Sequence, residues 1–182
     1  MPSAAEYQAR IENYSRDDVL ALWQAIQNGD TPEWAAGKAL EYLVLRAFQI
    51  EGATVTYPYT VTLQQEPVEQ IDGAIYCDGL SCLVEAKDQL RSMNVEPIAK
   101  MRNQLLRRHA STIGVIFSRS GFTTPASILA RYLAPNMILL WGNTDIGYGL
   151  EHQLMRRSLI EKYRTCIETG LPDYNMKEQE SS

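Results

Sequence analysis

The sequence predicts an α/β fold in which one mixed β-sheet carries helices on both faces. Three observations predict it. Apolar spacing changes from helical to period two near residue 54. Asp78-Gly79 joins two apolar-rich runs as a two-residue hairpin. Two short apolar runs, 112–118 and 137–141, flank a helical stretch and read as a strand–helix–strand unit, right-handed if its strands are parallel. At 182 residues, 45% hydrophobic and 21% charged, the chain has the make-up of one globular domain with a real core.

Residues 1–30 read as one or two polar helices, an N-terminal helical extension. Leu20, Leu22, Trp23 and Ile26 form the second helix's apolar face, and Asp17 or Asp18 is its cap. The domain itself spans 31–168. Thr31-Pro32-Glu33 is a helix start signal, and the helix runs to Glu51 before Gly52. Its stripe is Leu40, Leu43, Val44, Ala47 and Phe48. Strands follow over 54–62, 69–77 and 80–88, with a polar loop at 64–67. A helix over 94–109 turns Ile98, Met101 and Leu105 inward, and the strand 112–118 is covered on both sides. Thr124-Pro125 opens a helix to about Ala134, 137–141 is the last strand, and 150–168 the last helix. Residues 169–182 read as a flexible tail.

Composition excludes several classes. No apolar run approaches the ~20 residues of a membrane helix, and the N-terminus lacks a signal-peptide plan, so a cytoplasmic protein is expected. Cys77, Cys82 and Cys166 are too few for a disulfide scaffold, and with His109 and His152 they show no zinc spacing. Net charge is −5, yet 87–131 holds eight basic and two acidic residues. That asymmetry builds either a local positive surface or a solvated helix face.

The third strand has apolar residues on both faces, yet Glu85 and Lys87 share one of them. Charges on a covered face are costly unless paired or metal-bound. Asp72 lies in the neighbouring strand, within QIDGAI, and meets Glu85 if the register puts both on one face. Two close carboxylates raise each other's pKa, and a divalent cation removes the penalty. Glu41, at the margin of the entry-helix stripe between Leu45 and Phe48, points toward the sheet. The plain structural reading is a buried Glu–Lys pair with a turn-adjacent aspartate and an edge glutamate. Lys100, Gln104, Arg107 and Arg108 follow at i, i+4, i+7 and i+8 and form one ridge, fit for a phosphate backbone or for solvent. Arg119 and Ser120, with Ser118 and Thr123 around Gly121, form a loop that either holds a phosphate or simply caps a helix.

Asp72, then twelve residues, then Glu85-Ala86-Lys87 resembles the PD-(D/E)XK nuclease superfamily. Gly37-x-x-Leu40-Glu41-x-Leu43-Val44 and GVIFSRSGFTTPA are similar to Mrr-type restriction endonuclease domains. The resemblance implies a restriction-endonuclease-like three-layer α/β/α sandwich with an αβββαβ core. It implies Asp72, Glu85 and the Ala86 carbonyl as metal ligands. Lys87 would act on the attacking water and the phosphate, with Glu41 as an auxiliary acid. Mg²⁺ is the implied cofactor, with Mn²⁺ substituting, and DNA the substrate. A homodimer, a separate or fused specificity partner, or the N-terminal helices would supply target choice. Two departures are Ile71 in place of proline before Asp72, and Glu85 where many Mrr-type domains have glutamine. The expected activity is metal-dependent DNA endonuclease. The alternatives are a catalytically inactive nucleic-acid-binding module and a protein-interaction module on the same fold.

Overall fold

Serine caps start the first two helices. α1 (Ala4–Glu12) and α2 (Arg16–Asn28) have reciprocal capping boxes, Ser3 with Glu6 and Ser15 with Asp18, so Asp18 is the third helical residue rather than the cap. The computed structural model describes residues 2–132 and 136–177. α3 (Lys38–Ile50) begins at Lys38 and not at Thr31. Residues 31–36 turn instead: the Trp34 N–H donates to Thr31 O, and the Trp34 ring stacks on Tyr7 at 5.1 Å. Gly37, at φ 81°, then redirects the chain into the helix. The predicted stripe of α3 is buried, as are Tyr42 and Leu45, because α1 and α2 cover the side turned away from the sheet.

The strands expected over 54–62 and 69–77 are each divided. β1 (Thr54–Thr56) and β2 (Tyr59–Leu63) part at Tyr57-Pro58, and β3 (Glu66–Ile71) and β4 (Gly73–Cys77) part at Asp72. Thr56 opposes Ala74 and Tyr59 opposes Ile71, so one register runs through both breaks and sets Pro58 opposite Asp72. Proline offers no N–H, so the ladder lacks a donor at that level and the hairpin bends. Its inner half joins the main sheet, and its outer half is a separate two-stranded sheet. Gln64 and Gln65 make the outer turn with positive φ, and Glu66 and Pro67 belong to β3 rather than to a loop.

β5 (Leu80–Lys87) follows the Asp78-Gly79 turn, where both φ values are positive and Cys77 pairs with Leu80, the geometry read from the sequence. α4 (Glu96–Leu105) is shorter than expected at both ends. β6 (Thr112–Ser118), α5 (Thr124–Arg131) and β7 (Ile138–Trp141) follow; the expected end of α5 at Ala134 lies outside the described residues. The helix expected over 150–168 is α7 (Met155–Thr169), and an unexpected α6 (Asn143–His152) precedes it, the two parted where Gln153 adopts φ 57°. The five-stranded sheet has the order β1-β4-β5-β6-β7, antiparallel through β5 and parallel beyond it.

Each sheet face has its own core. Phe48 of α3, Val84, Ala86, Phe117, Trp141 and Leu159 meet on one. Leu83, Ile98, Met101, Leu105, Ile116 and Leu140 meet on the other, under α4 and α5. Each such side chain contributes roughly 1.5–3 kcal/mol by burial. This is the three-layer α/β/α sandwich with a mixed central sheet.

Described residues beyond α7 are not free of the domain. Leu140 N–H donates to Pro172 O at 2.9 Å on the outer side of β7, and Met176 is buried with its N–H on Asp145. Residues 178–182 of the expected tail lie outside the described residues. Lys162 of α7 is fully buried; it donates to Leu140 O at 3.0 Å and to Tyr174 O, and lies 3.0 Å from Asp145 Oδ2. The three cysteines are free thiols. Among the described residues no helix is long and apolar enough to cross a membrane.

Gly73, beside Asp72, admits no side chain. A Cβ there would lie 2.6 Å and 2.8 Å from the Leu45 methyls and 2.9 Å from Thr56 O. Gly73→Ala is expected to destabilise the protein by ~1–3 kcal/mol through overpacking and to shift Asp72 with it. Denaturant titration checks this, and an unchanged midpoint would refute it.

Candidate active site

The bend at Pro58 and Asp72 makes the site. Gly73 pairs with Val84 at the end of the β4–β5 ladder, which brings Asp72, at the break, close enough to Glu85 to feel its charge. The Asp72 side chain reaches β5, where its Oδ2 accepts the Ala86 N–H at 3.0 Å. Asp72 is 6% exposed and Glu85 1%.

Two ammonium groups hold Glu85. Lys100 Nζ donates to Oε2 at 2.7 Å. Lys87 Nζ lies 2.6 Å from Oε1. Glu41, in the first turn of α3, is buried and accepts from Lys38 Nζ at 2.6 Å.

Burial raises the Asp72 pKa, and the Glu85 charge raises it further. The Ala86 hydrogen bond and the charges of Lys87 and Lys100 only partly offset this. Glu41 is raised too, by burial first and by Asp72 second, against the pull of Lys38 and Lys87. Burial alone would lower Lys87, but Glu85, Asp72 and Glu41 together outweigh it and its pKa rises. Lys87 is therefore a cation at neutral pH: it can hold an anion or orient a water, but it has no free base to offer.

Both acids keep a proton to higher pH when folded than when unfolded, where ordinary values of 3.8 and 4.5 apply. Their contribution to stability is complete below those values and is lost as pH rises through the raised ones. Asp72→Asn keeps an acceptor for Ala86 and removes the charge, so it is expected to raise the melting temperature at pH 7 by roughly 2–4 °C. The gain should shrink toward pH 4. A lower melting temperature at pH 7 would contradict the assignment.

The expected basic ridge is not one exposed surface. Gln104 is buried and donates to Gln70 O at 3.3 Å, tying α4 to β3. Arg107 and Arg108 clasp Glu69, Arg108 at 2.5 Å. Lys100 turns inward to Glu85. Arg119 pairs with Asp88, and its N–H donates to Lys87 O at 3.3 Å. Ser120 Oγ donates to Arg91 O, Ser92 Oγ returns a bond to Ser120 O, and Met93 bridges to Phe122. These contacts strap the loop after β6 to the loop after β5, beside Lys87. Thr123 caps α5, and Ser118 bonds to Gly121 O.

Sequence reasoning missed three partners. Lys38 had a signal, its i, i+3 spacing to Glu41. Asp88 and Glu69 had none, because the arginines they hold lie 31 and 38 residues away.

A three-layer sandwich with an acid at a strand break opposite an E-x-K strand defines a restriction-endonuclease-like nuclease domain of the PD-(D/E)XK type. The chain belongs to the family Mrr_cat, restriction endonuclease, which it matches over residues 34–146. Among solved structures it is similar to AF1548, a protein of unknown function, with 19% identity over 72% of this chain and 77% of that one and a TM-score of 0.51, a likeness of fold. It is also similar to the MspJI restriction endonuclease, solved in complex with a 27-mer oligonucleotide, with 19% identity, 88% of this chain covered and a TM-score of 0.42. The match spans 38% of the MspJI chain. No curated protein matches the chain in sequence.

Proposed function

We propose that the chain is a nuclease that hydrolyses DNA phosphodiester bonds with a divalent cation, Mg²⁺ or in its place Mn²⁺. The observation that carries this reading is the Asp72 carboxylate bonded to the Ala86 N–H at 3.0 Å beside Glu85, with Lys87 against the Glu85 carboxylate. The donor set fits such an ion. Glu85 offers two buried carboxylate oxygens, held only by lysine ammonium groups that are 36% and 45% exposed, and Asp72 has a second carboxylate oxygen beside the one bonded to Ala86. All candidate ligands are oxygens, counting the Ala86 carbonyl. Among the described residues no group of three His, Cys, Asp or Glu side chains is placed to hold a metal, so the ion would rest on two carboxylates, a backbone carbonyl and its own waters.

Asp72, Glu85 and the Ala86 carbonyl would hold the ion, which when bound neutralises phosphate charge and acidifies a water. Lys87 stabilises the charge that develops on the phosphate and orients the attacking water. Glu41 would serve as the auxiliary acid, holding a water or a second ion. The Arg119–Asp88 pair and the strapped loops keep Lys87 O and the end of β5 in place. Target choice is left to a second copy or a separate partner.

Plasmid and short duplex substrates, incubated with Mg²⁺, Mn²⁺ or EDTA, test the reading. Cleavage with either metal and none with EDTA is expected. Failure to cleave DNA or RNA with either metal, alongside salt-dependent binding, would favour the inactive binding module.

A further inference from the structure

We propose that Lys100 is a placeholder cation: its ammonium neutralises Glu85 while the site is free of metal, and leaves it for substrate phosphate when a divalent cation arrives. This rests on the nuclease reading above and adds a coupling between metal and nucleic acid.

Glu85 is 1% exposed, so water cannot compensate its charge. Its two oxygens meet two lysines of different standing. Lys87 shares the strand and is held in addition by the charges of Asp72 and Glu41. Lys100 comes from α4, in another layer, and its side chain is 45% exposed. Its long stem lets the ammonium swing into solvent without disturbing the core.

The charge count makes the exchange balanced. The site brings Glu41, Asp72 and Glu85 together with Lys38, Lys87 and Lys100, three negative groups against three positive when all are ionised. A divalent ion added to that neutral cluster leaves two uncompensated charges. Lys100, leaving Glu85 for a flanking phosphate of the nucleic acid, is compensated there and takes one away, and the phosphodiester at the metal supplies the other. Metal and nucleic acid therefore favour each other's binding.

Calorimetric titration of Mn²⁺ into the whole protein reads this without cleavage. Lys100→Met, which keeps the stem and loses the charge, is expected to bind Mn²⁺ about ten-fold more tightly than the parent. Lys100→Arg, whose guanidinium grips a carboxylate with two hydrogen bonds, is expected to bind it more weakly. Lys38→Met removes an equal charge on Glu41 instead and controls for the general field; its effect should be well below that of Lys100→Met. A non-hydrolysable phosphorothioate duplex should raise Mn²⁺ affinity in the parent by about ten-fold and by clearly less in Lys100→Met. Folding is checked by circular dichroism, and the Lys100→Arg arm stands if the methionine variant does not fold. If the parent binds Mn²⁺ and cleaves DNA, yet Lys100→Met binds the metal no more tightly, the placeholder role is overturned and the nuclease reading stands. If no variant takes up Mn²⁺ with or without duplex, both fall.

Discussion

Glu85→Gln is expected to lower metal-dependent cleavage on the order of 10³-fold, about 4 kcal/mol of transition-state stabilisation, while leaving a folded protein. The amide keeps the shape of the side chain but loses the charge that a cation needs and that Lys87 and Lys100 share. Breaking a buried ion pair costs ~3–5 kcal/mol when the partner is trapped. Here Lys87 and Lys100 are 36% and 45% exposed and can turn to water, so the cost to stability should stay under about 2 kcal/mol. Single-turnover cleavage with Mg²⁺, beside a thermal melt of the same sample, separates the two effects. A folded variant that cleaves at the parental rate would remove the proposed mechanism.

Lys162→Met is expected to have the largest effect on stability. The ammonium is wholly buried, ion-paired with Asp145 and bonded to the carbonyls of Leu140 and Tyr174. Burial lowers its pKa, and Asp145 opposes that most. Without it, Asp145 and two carbonyls lose a shared donor, for a loss of ~3–5 kcal/mol or roughly 10–15 °C in melting temperature. Removing both charges, in Lys162→Met with Asp145→Asn, should recover part of the loss, since no unpaired buried charge remains. A single variant that melts within about 3 °C of the parent would show that the pair carries little of the stability.

Legibility in the sequence followed the range of the interactions. The Asp78-Gly79 turn and the α3 stripe were readable because each is settled within a few residues. The alternation in β5 showed that Glu85 and Lys87 share a face, and it could not name Lys100 as the third member of that cluster. A helical wheel tells which residues lie together, not whether that side faces water. So Lys100, Gln104, Arg107 and Arg108 read as one open ridge, although strand residues Gln70, Glu69 and Glu85 take up all but Arg108's second contact, to the Gln104 carbonyl of α4. The hairpin bend had a visible half, Pro58, whose missing N–H argues against a continuous strand; its other half, Asp72, has no local mark. The Thr31-Pro32-Glu33 signal misled because Gly37 carried the stronger break. α6 went unseen because Gly147 and Gly149 lower its propensity, yet Gly149 lets Met155 approach, where a Cβ would stand 2.5 Å from its sulfur.

The bond from the Ala86 amide to the Asp72 carboxylate has a spectroscopic consequence. A rung of the central sheet is closed at that point by a titrating side chain instead of a backbone carbonyl. The Ala86 amide resonance should therefore move when Asp72 gains a proton and again when it turns to a cation, while the Val84 amide, next to a rung of ordinary pairing, stays still. Its solvent exchange should quicken in step. One backbone signal, followed through a pH or Mn²⁺-free Mg²⁺ titration, thus reports the state of the site from inside the sheet, with no substrate present.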